Sequence, residues 1–140
     1  MVSLRKKTND YHICGGSILN HHSILTAAEC VSGYSPSDLY VVVGSVYLNK
    51  GGTKYTLVNM TIHSKYNSST YENNIALLNT TKSMDFDENV DSIRRSTSET
   101  GAGVDVVLTG WGKNSSDANG PDNTLQQLTY DTMTNKDCKK

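Results

Sequence analysis

Apolar and polar residues alternate in short runs along this chain, with almost no helical period. Residues 39–44 form a brief apolar, β-branched run of strand length. From 54 to 62 the pattern alternates, with Val58, Met60 and Ile62 in one phase and Asn59 and Thr61 in the other, as a half-buried strand requires. Lys50-Gly51-Gly52 ahead of it reads as a hairpin turn, because glycine tolerates positive φ. Residues 75–78 are wholly apolar and predict an interior strand. Val104, Val106 and Leu108 alternate again and lead into Gly110-Trp111-Gly112. A loop rich in Ser, Asn, Asp and Gly follows over 113–123, then another strand within 125–133. Only 27–31 has a helical look. With two prolines and frequent turn signals, the expected class is all-β.

The stretch 85–103 is charged, polar and weakly periodic, and marks a boundary. It predicts a first unit over 1–84, a linker over 85–103 and the start of a second unit over 104–140. That last unit holds about two strands' worth of sequence, too little to close a sheet alone. The chain therefore reads as a piece of something larger.

Composition narrows the functional classes. The 140 residues suit one ordinary domain, and 36% apolar content permits a packed core. Thirteen Lys and Arg against 14 Asp and Glu leave a formal charge of −1, with no electrostatic footprint for nucleic acid or an acidic membrane surface. No apolar run approaches the roughly 18–20 residues of a membrane span. The first ten residues hold no apolar stretch of signal-peptide length. A soluble globular chain with neither nucleic-acid nor membrane partner is expected.

Three cysteines occur, Cys14, Cys30 and Cys138. Cys14 and Cys30 flank a strand-turn-strand stretch; they can pair across a loop of about 15 residues, or remain two buried thiols. Cys138 is then left unpaired, which points to an intermolecular bridge or a missing segment. No CxxC occurs, and the four histidines do not fall at ligand spacing, so neither metal nor cofactor is expected. The adjacent pair His21-His22 reads as solvated turn residues. Asn59, Asn67, Asn79 and Asn114 each open an Asn-x-Ser/Thr acceptor pattern, and four together lean towards a secreted, extracellular glycoprotein.

Longer blocks carry more. His12-Ile13-Cys14-Gly15-Gly16-Ser17-Ile18-Leu19 is followed by Ile24-Leu25-Thr26-Ala27-Ala28-Glu29-Cys30, then His63-Ser64-Lys65-Tyr66-Asn67. Tyr71-Glu72-Asn73-Asn74-Ile75-Ala76-Leu77-Leu78 and Thr109-Gly110-Trp111-Gly112 come next, then Leu125-Gln126-Gln127 and the Cys138 region. In this order the blocks resemble the trypsin/chymotrypsin family of serine proteases, in the texture of arthropod digestive members. The resemblance spans nearly the whole chain. It implies a trypsin-like double antiparallel β-barrel, with the first barrel nearly complete and the second truncated. It also implies a Cys14–Cys30 bridge, an extracellular setting and serine-type endopeptidase activity.

The catalytic residues of that family are not carried over. The family places its histidine in TAAHC, and here the motif is TAAEC, so Glu29 stands in the base position. The family places its aspartate in DIAL, and here the motif is NIAL, so Asn74 stands there. No GDSGGP segment, the family's nucleophile motif, occurs in the 140 residues. A serine hydroxyl is a poor nucleophile until a neighbouring base takes its proton. Imidazole suits that task, with an ordinary pKa near 6.5 and two nitrogens for two partners. Glutamate, at about 4.3, has no second nitrogen for an aspartate to hold. In this catalytic arrangement, aspartate to asparagine alone lowers turnover by roughly 10⁴. A carboxylate pair of glycosidase type built on Glu29 would need a second carboxylate across a cleft, and the nearby Glu72 is not placed there by the sequence.

Two further departures matter. The family's Val/Ile-Val-Gly-Gly start is absent, with Met1 just ahead of the Val-Ser-Leu stretch. Gly44-Ser45-Val46-Tyr47 offers no carboxylates where some trypsins hold calcium. The expectation is an N-terminal-half fragment of a secreted, triad-degenerate protease homologue that acts by binding a protein ligand, such as a substrate, inhibitor or host protein. Its rivals are an active serine endopeptidase represented by a partial or altered sequence, and a decayed gene copy without function.

Overall fold

The structure, a computed structural model, describes residues 1–113, 116 and 119–138. Strands β1 (Val2–Lys6), β2 (His12–Ile18), β3 (Ser23–Thr26), β4 (Leu39–Val43), β5 (Thr53–Ile62) and β6 (Ala76–Thr80) form a closed antiparallel barrel in the order β1-β2-β3-β6-β5-β4. Closure runs through β1 and β4, from Val2 opposite Val43 to Lys6 opposite Leu39. A barrel without free edges follows from these short strands, each unable to bury its apolar face alone. Val2, Leu4, Ile24, Leu39, Val41 and Leu78 fill its interior. Where a nearly complete barrel was expected, the barrel is closed.

Two sequence expectations are corrected by packing. The alternation over 54–62 placed Val58 on the inward phase, yet Val58 is 62% exposed. The register explains this: Leu57 faces Thr80 and Asn59 faces Asn79, so two steps on β5 match one on β6. Val58 is the extra residue of a β-bulge, which resets the phase. Tyr55 and Leu57 point inward before it, and Met60 and Ile62 pack on the core after it. The expected interior strand over 75–78 is also shifted. Ile75 lies outside β6 and is 43% exposed, while Ala76, Leu78 and Thr80 are buried and alternate with half-buried Leu77 and Asn79. The expected hairpin turn is present: β4 and β5 pair antiparallel, and their connection spans 44–52. Gly44, Gly51 and Gly52 all have positive φ there, and Ser45 Oγ donates to Lys50 O at 2.8 Å.

The helical look of 27–31 corresponds to a 3-10 turn, Ala28–Cys30. A second such turn, Pro36–Asp38, leads into β4. Beyond the barrel, β7 (Asp105–Gly110) and β8 (Gln126–Asp131) pair antiparallel as a two-stranded sheet that resembles part of a second barrel. Val107, Leu108, Leu128 and Tyr130 remain exposed on it. Trp111 docks this part on the first barrel. Its ring is buried, packs edge-on against His12, and donates from Nε1 to Val46 O at 2.9 Å. The short helix α1 (Asn135–Cys138) follows, and no helix among the described residues is long and apolar enough to cross a membrane.

Candidate functional site

The register of β3 and β6 decides where the site sits. Thr26 faces Ala76, so the chain leaving β3 meets the chain entering β6 just beyond that pair. The leaving chain turns at once through Ala28–Cys30. Ala28 is buried, and Cys30 is tied by a disulfide to Cys14 on β2, with Cα atoms 6.0 Å apart. Anchored on both sides, Glu29 is left facing outward. Cys138 on α1 is an exposed free thiol.

The entering chain is set by a tight loop. Asn73 adopts positive φ, which Asn tolerates better than most side chains, and its Nδ2 donates to Lys65 O at 3.0 Å. Ile75 N–H returns to Asn73 O at 2.8 Å, and His63 N–H reaches Ile75 O at 3.1 Å. These bonds present the Asn74 amide to Glu29. Two hydrogen bonds join them: Asn74 Nδ2 donates to Glu29 Oε1 at 3.0 Å, and Glu29 N–H donates to Asn74 Oδ1 at 2.9 Å. The amide thus uses both ends, one on the carboxylate and one on the backbone. The hydroxyl of nearby Tyr66 is pushed above the usual phenol range, first by desolvation and then by the Glu29 charge.

A cavity of about 530 Å³ opens beside the pair, walled by Gly15, Gly16, Thr26, Ala27, Asn74 and Thr109, among others. Gly16 is a steric necessity in that wall. A Cβ there would stand 2.9 Å from Ile24 Cγ2 and 3.1 Å from Leu25 O. Chemically, the arrangement offers an acceptor-rich carboxylate and a fixed amide. Glu29 has one fewer Oε1 lone pair to offer, because Asn74 already occupies it. Nothing in the pair can shuttle a proton between two partners as imidazole does.

The remaining predicted positions lie elsewhere. Asn59 and Asn67 are exposed, on the outer side of β5 and in the loop before β6. Asn67 Oδ1 accepts from Ser69 N–H at 2.9 Å. Asn79 is half-buried in β6, and its Nδ2 donates to Ser23 Oγ at 3.2 Å. Asn114 lies outside the described residues. Histidines 21 and 22 are both in the turn between β2 and β3, and His21 stacks on Phe86 at 3.9 Å while its Nδ1 bonds Met84 O at 2.7 Å. Both are exposed, as expected of solvated turn residues, and His21 additionally stacks on Phe86. Among the described residues no group of three or more His, Cys, Asp or Glu is arranged to hold a metal ion.

One polar cluster escaped the sequence reading. Ser3 and Arg5, on the outer face of β1, are 1% and 8% exposed. Arg5 Nε donates to Ser3 Oγ at 2.9 Å, and Ser3 Oγ lies 2.8 Å from His12 Nδ1. Burial, reinforced by the Arg5 charge, holds the His12 pKa down at about 4. His12 is neutral near pH 7, and its Nδ1 shares one hydrogen bond with the Ser3 hydroxyl, the donor being set by the imidazole tautomer. The one hint in the sequence is Arg5 between strand residues that alternate with Val2 and Leu4.

Comparison with known proteins agrees with this geometry. The family model described as Trypsin matches residues 1–140. Chymotrypsin-2 of Vespa crabro is 39% identical over 140 residues, which cover 99% of this chain and 62% of that protein. Trypsin Blo t 3 of Blomia tropicalis is 36% identical over 140 residues, covering 98% of this chain and 52% of that protein. The chain thus spans between about half and two thirds of the length of the curated relatives it matches. Among solved structures, the scabies mite inactivated protease paralogue S-D1 superposes with a TM-score of 0.89 at 26% identity, over 98% of this chain and 58% of that one. Insect and mite relatives, matched blocks and a closed first barrel lead to one conclusion: the chain belongs to the trypsin family.

Proposed function

We propose that this chain is a catalytically silent member of its family that works by binding proteins rather than cutting them. The observation that carries the reading is the Glu29–Asn74 pair. Glu29 occupies the place of the base in the TAAEC motif, and Asn74 the place of the aspartate in NIAL. Their reciprocal hydrogen bonds tie the two side chains to each other. A carboxylate so engaged is a weak base for a serine hydroxyl, whose own pKa lies far above that of glutamate. Likeness to a mite protease paralogue described as inactivated supports the same reading.

An extracellular setting belongs to this proposal. The Cys14–Cys30 bridge is of the kind that persists outside the reducing cytosol, and Asn59 and Asn67 present accessible acceptor positions. Asn79 is committed to Ser23 in the folded barrel, so Asn59 and Asn67 are the favoured sites of sugar attachment.

The test is hydrolysis of peptide esters by the purified protein from its source, with and without a serine-directed covalent reagent. The expected result is no turnover above background and no covalent adduct. Turnover abolished by the reagent would overturn the proposal.

A further inference from the structure

The chain that links β7 to β8 is fastened to the first barrel through Trp111, the sole tryptophan of the 140 residues. Its ring is buried, and its Nε1–H donates to Val46 O at 2.9 Å. The same carbonyl accepts from Leu125 N–H at 2.7 Å, and Leu48 N–H donates to Asn123 O at 2.8 Å. None of these bonds uses a titratable side chain. The ring itself rests edge-on against His12, with ring centres 5.3 Å apart and planes at 67°.

His12 is placed where a positive charge is poorly tolerated. Its Nδ1 lies 2.8 Å from Ser3 Oγ, and that oxygen also accepts from Arg5 Nε at 2.9 Å. An imidazolium would donate to the same oxygen, so two cations would stand no farther apart than those two bonds laid end to end. Around the ring, β1 supplies Arg5, the β1–β2 turn Asp10 and Tyr11, the loop before β5 Lys50, and β5 Lys54. The Trp111 side adds Lys113, together with Asp122, whose N–H donates to Trp111 O at 3.0 Å. Cations therefore outnumber carboxylates there. Asp10 is already engaged, accepting from the Tyr40 hydroxyl and pairing with Lys54 at 3.6 Å. The Asp122 carboxylate accepts from Thr124 N–H at 2.8 Å. Burial and the Arg5 charge hold the His12 pKa down at about 4, against 6.5 for the ring in water.

We propose that the His12–Trp111 contact is an acid-released latch: protonation of His12 lets Trp111 leave its seat and frees the chain between β7 and β8, while the first barrel stays closed. Linkage gives the sign. The docked form holds the proton less tightly than an undocked form whose imidazole meets water. Acidification from pH 6.5 towards about 4 therefore favours release, by up to about tenfold per pH unit. The ring is half-buried, and screening brings the whole change to about 30-fold. Above pH 6.5 the latch is at full strength, and below the docked value the change is complete. The barrel interior is not subject to this effect, because Val2, Leu4, Val41 and Leu78 carry no titratable group. The inference is independent of whether the chain cleaves peptides.

The experiment is hydrogen exchange of the Trp111 indole N–H, followed by NMR in the disulfide-bonded chain from about pH 7 to about pH 3.5. Rates are scaled at each pH to those of an unstructured tryptophan peptide. A chain with one tryptophan gives one such signal. The expected result is protection that falls about 30-fold with acid, while the amides of β4 keep theirs within about threefold. His12→Gln carries no charge at any pH and is expected to abolish the fall. If that variant does not fold, the parent decides alone: the fall must level off as the His12 ring signals complete their titration. Four results would each overturn the proposal. Protection could stay flat in the parent, fall together with the β4 amides, fail to level off with the His12 titration, or fall equally in a folded His12→Gln.

Discussion

Restoring the family's aspartate by itself is expected to destabilise this protein. In Asn74→Asp, the oxygen replacing Nδ2 would lie about where Nδ2 now sits, 3.0 Å from Glu29 Oε1. Two unit charges at that distance repel by about 1.4 kcal/mol even at the dielectric constant of water. The lost Nδ2–H donation adds about 1 kcal/mol, while the backbone bond from Glu29 N–H survives. The expected cost is about 2–3 kcal/mol at pH 7, read as a melting shift of roughly 5–10 °C by circular dichroism. The sign of its pH dependence follows from linkage. Mutual repulsion raises a carboxyl pKa in the folded state above its unfolded value, so the folded form holds its proton more tightly. The variant therefore matches the parent below about pH 4 and loses stability as pH rises through the raised value. Adding Glu29→His should turn the penalty into a gain, because imidazole can donate to the new aspartate. Equal stability of Asn74→Asp and parent at pH 7, or the same penalty in the Glu29→His background, would falsify the pairing described for these two side chains.

Other expectations are open to the same measurements. Leu57→Ala should cost about 2–4 kcal/mol in urea unfolding and Val58→Ala within about 0.5 kcal/mol, since the bulge turns Val58 outward; the reverse order would refute the bulge. Gly52→Ala should destabilise by about 2–4 kcal/mol, because φ is +76° and the new Cβ would meet Val42 Cγ1 at 2.6 Å and Val43 O at 2.7 Å. Replacing both Cys14 and Cys30 by Ser should cost about 3 kcal/mol, measured against the parent under oxidising conditions. The depressed His12 pKa of about 4 makes its contribution full above pH 6.5 and lost as pH falls towards 4, where the unfolded chain has already taken up the proton. With its partial exposure discounted, that loss is on the order of 1 kcal/mol, and His12→Gln should flatten the corresponding part of the stability–pH curve.

Much of this protein was legible from its residues in order. Short apolar runs and turn residues were enough for an all-β class, because strand alternation is a local property of the chain. The TAAEC and NIAL blocks carry the expected replacement of base and aspartate, since each motif is contiguous and a single changed letter shows. Other features depend on partners far away in sequence. The bulge at Val58 exists only relative to β6, and a one-residue slip in register moves every later side chain to the opposite face. Ile75 is apolar yet exposed because β6 begins one residue later. Ser3 and Arg5 alternate with the core residues Val2 and Leu4 yet are buried; Ser3 Oγ lies against His12 Nδ1, and His12 packs on the distant Trp111. Residue identity and local pattern set the class and the chemistry of the altered motifs. Which side chains meet, and which polar groups are buried, was decided by long-range packing.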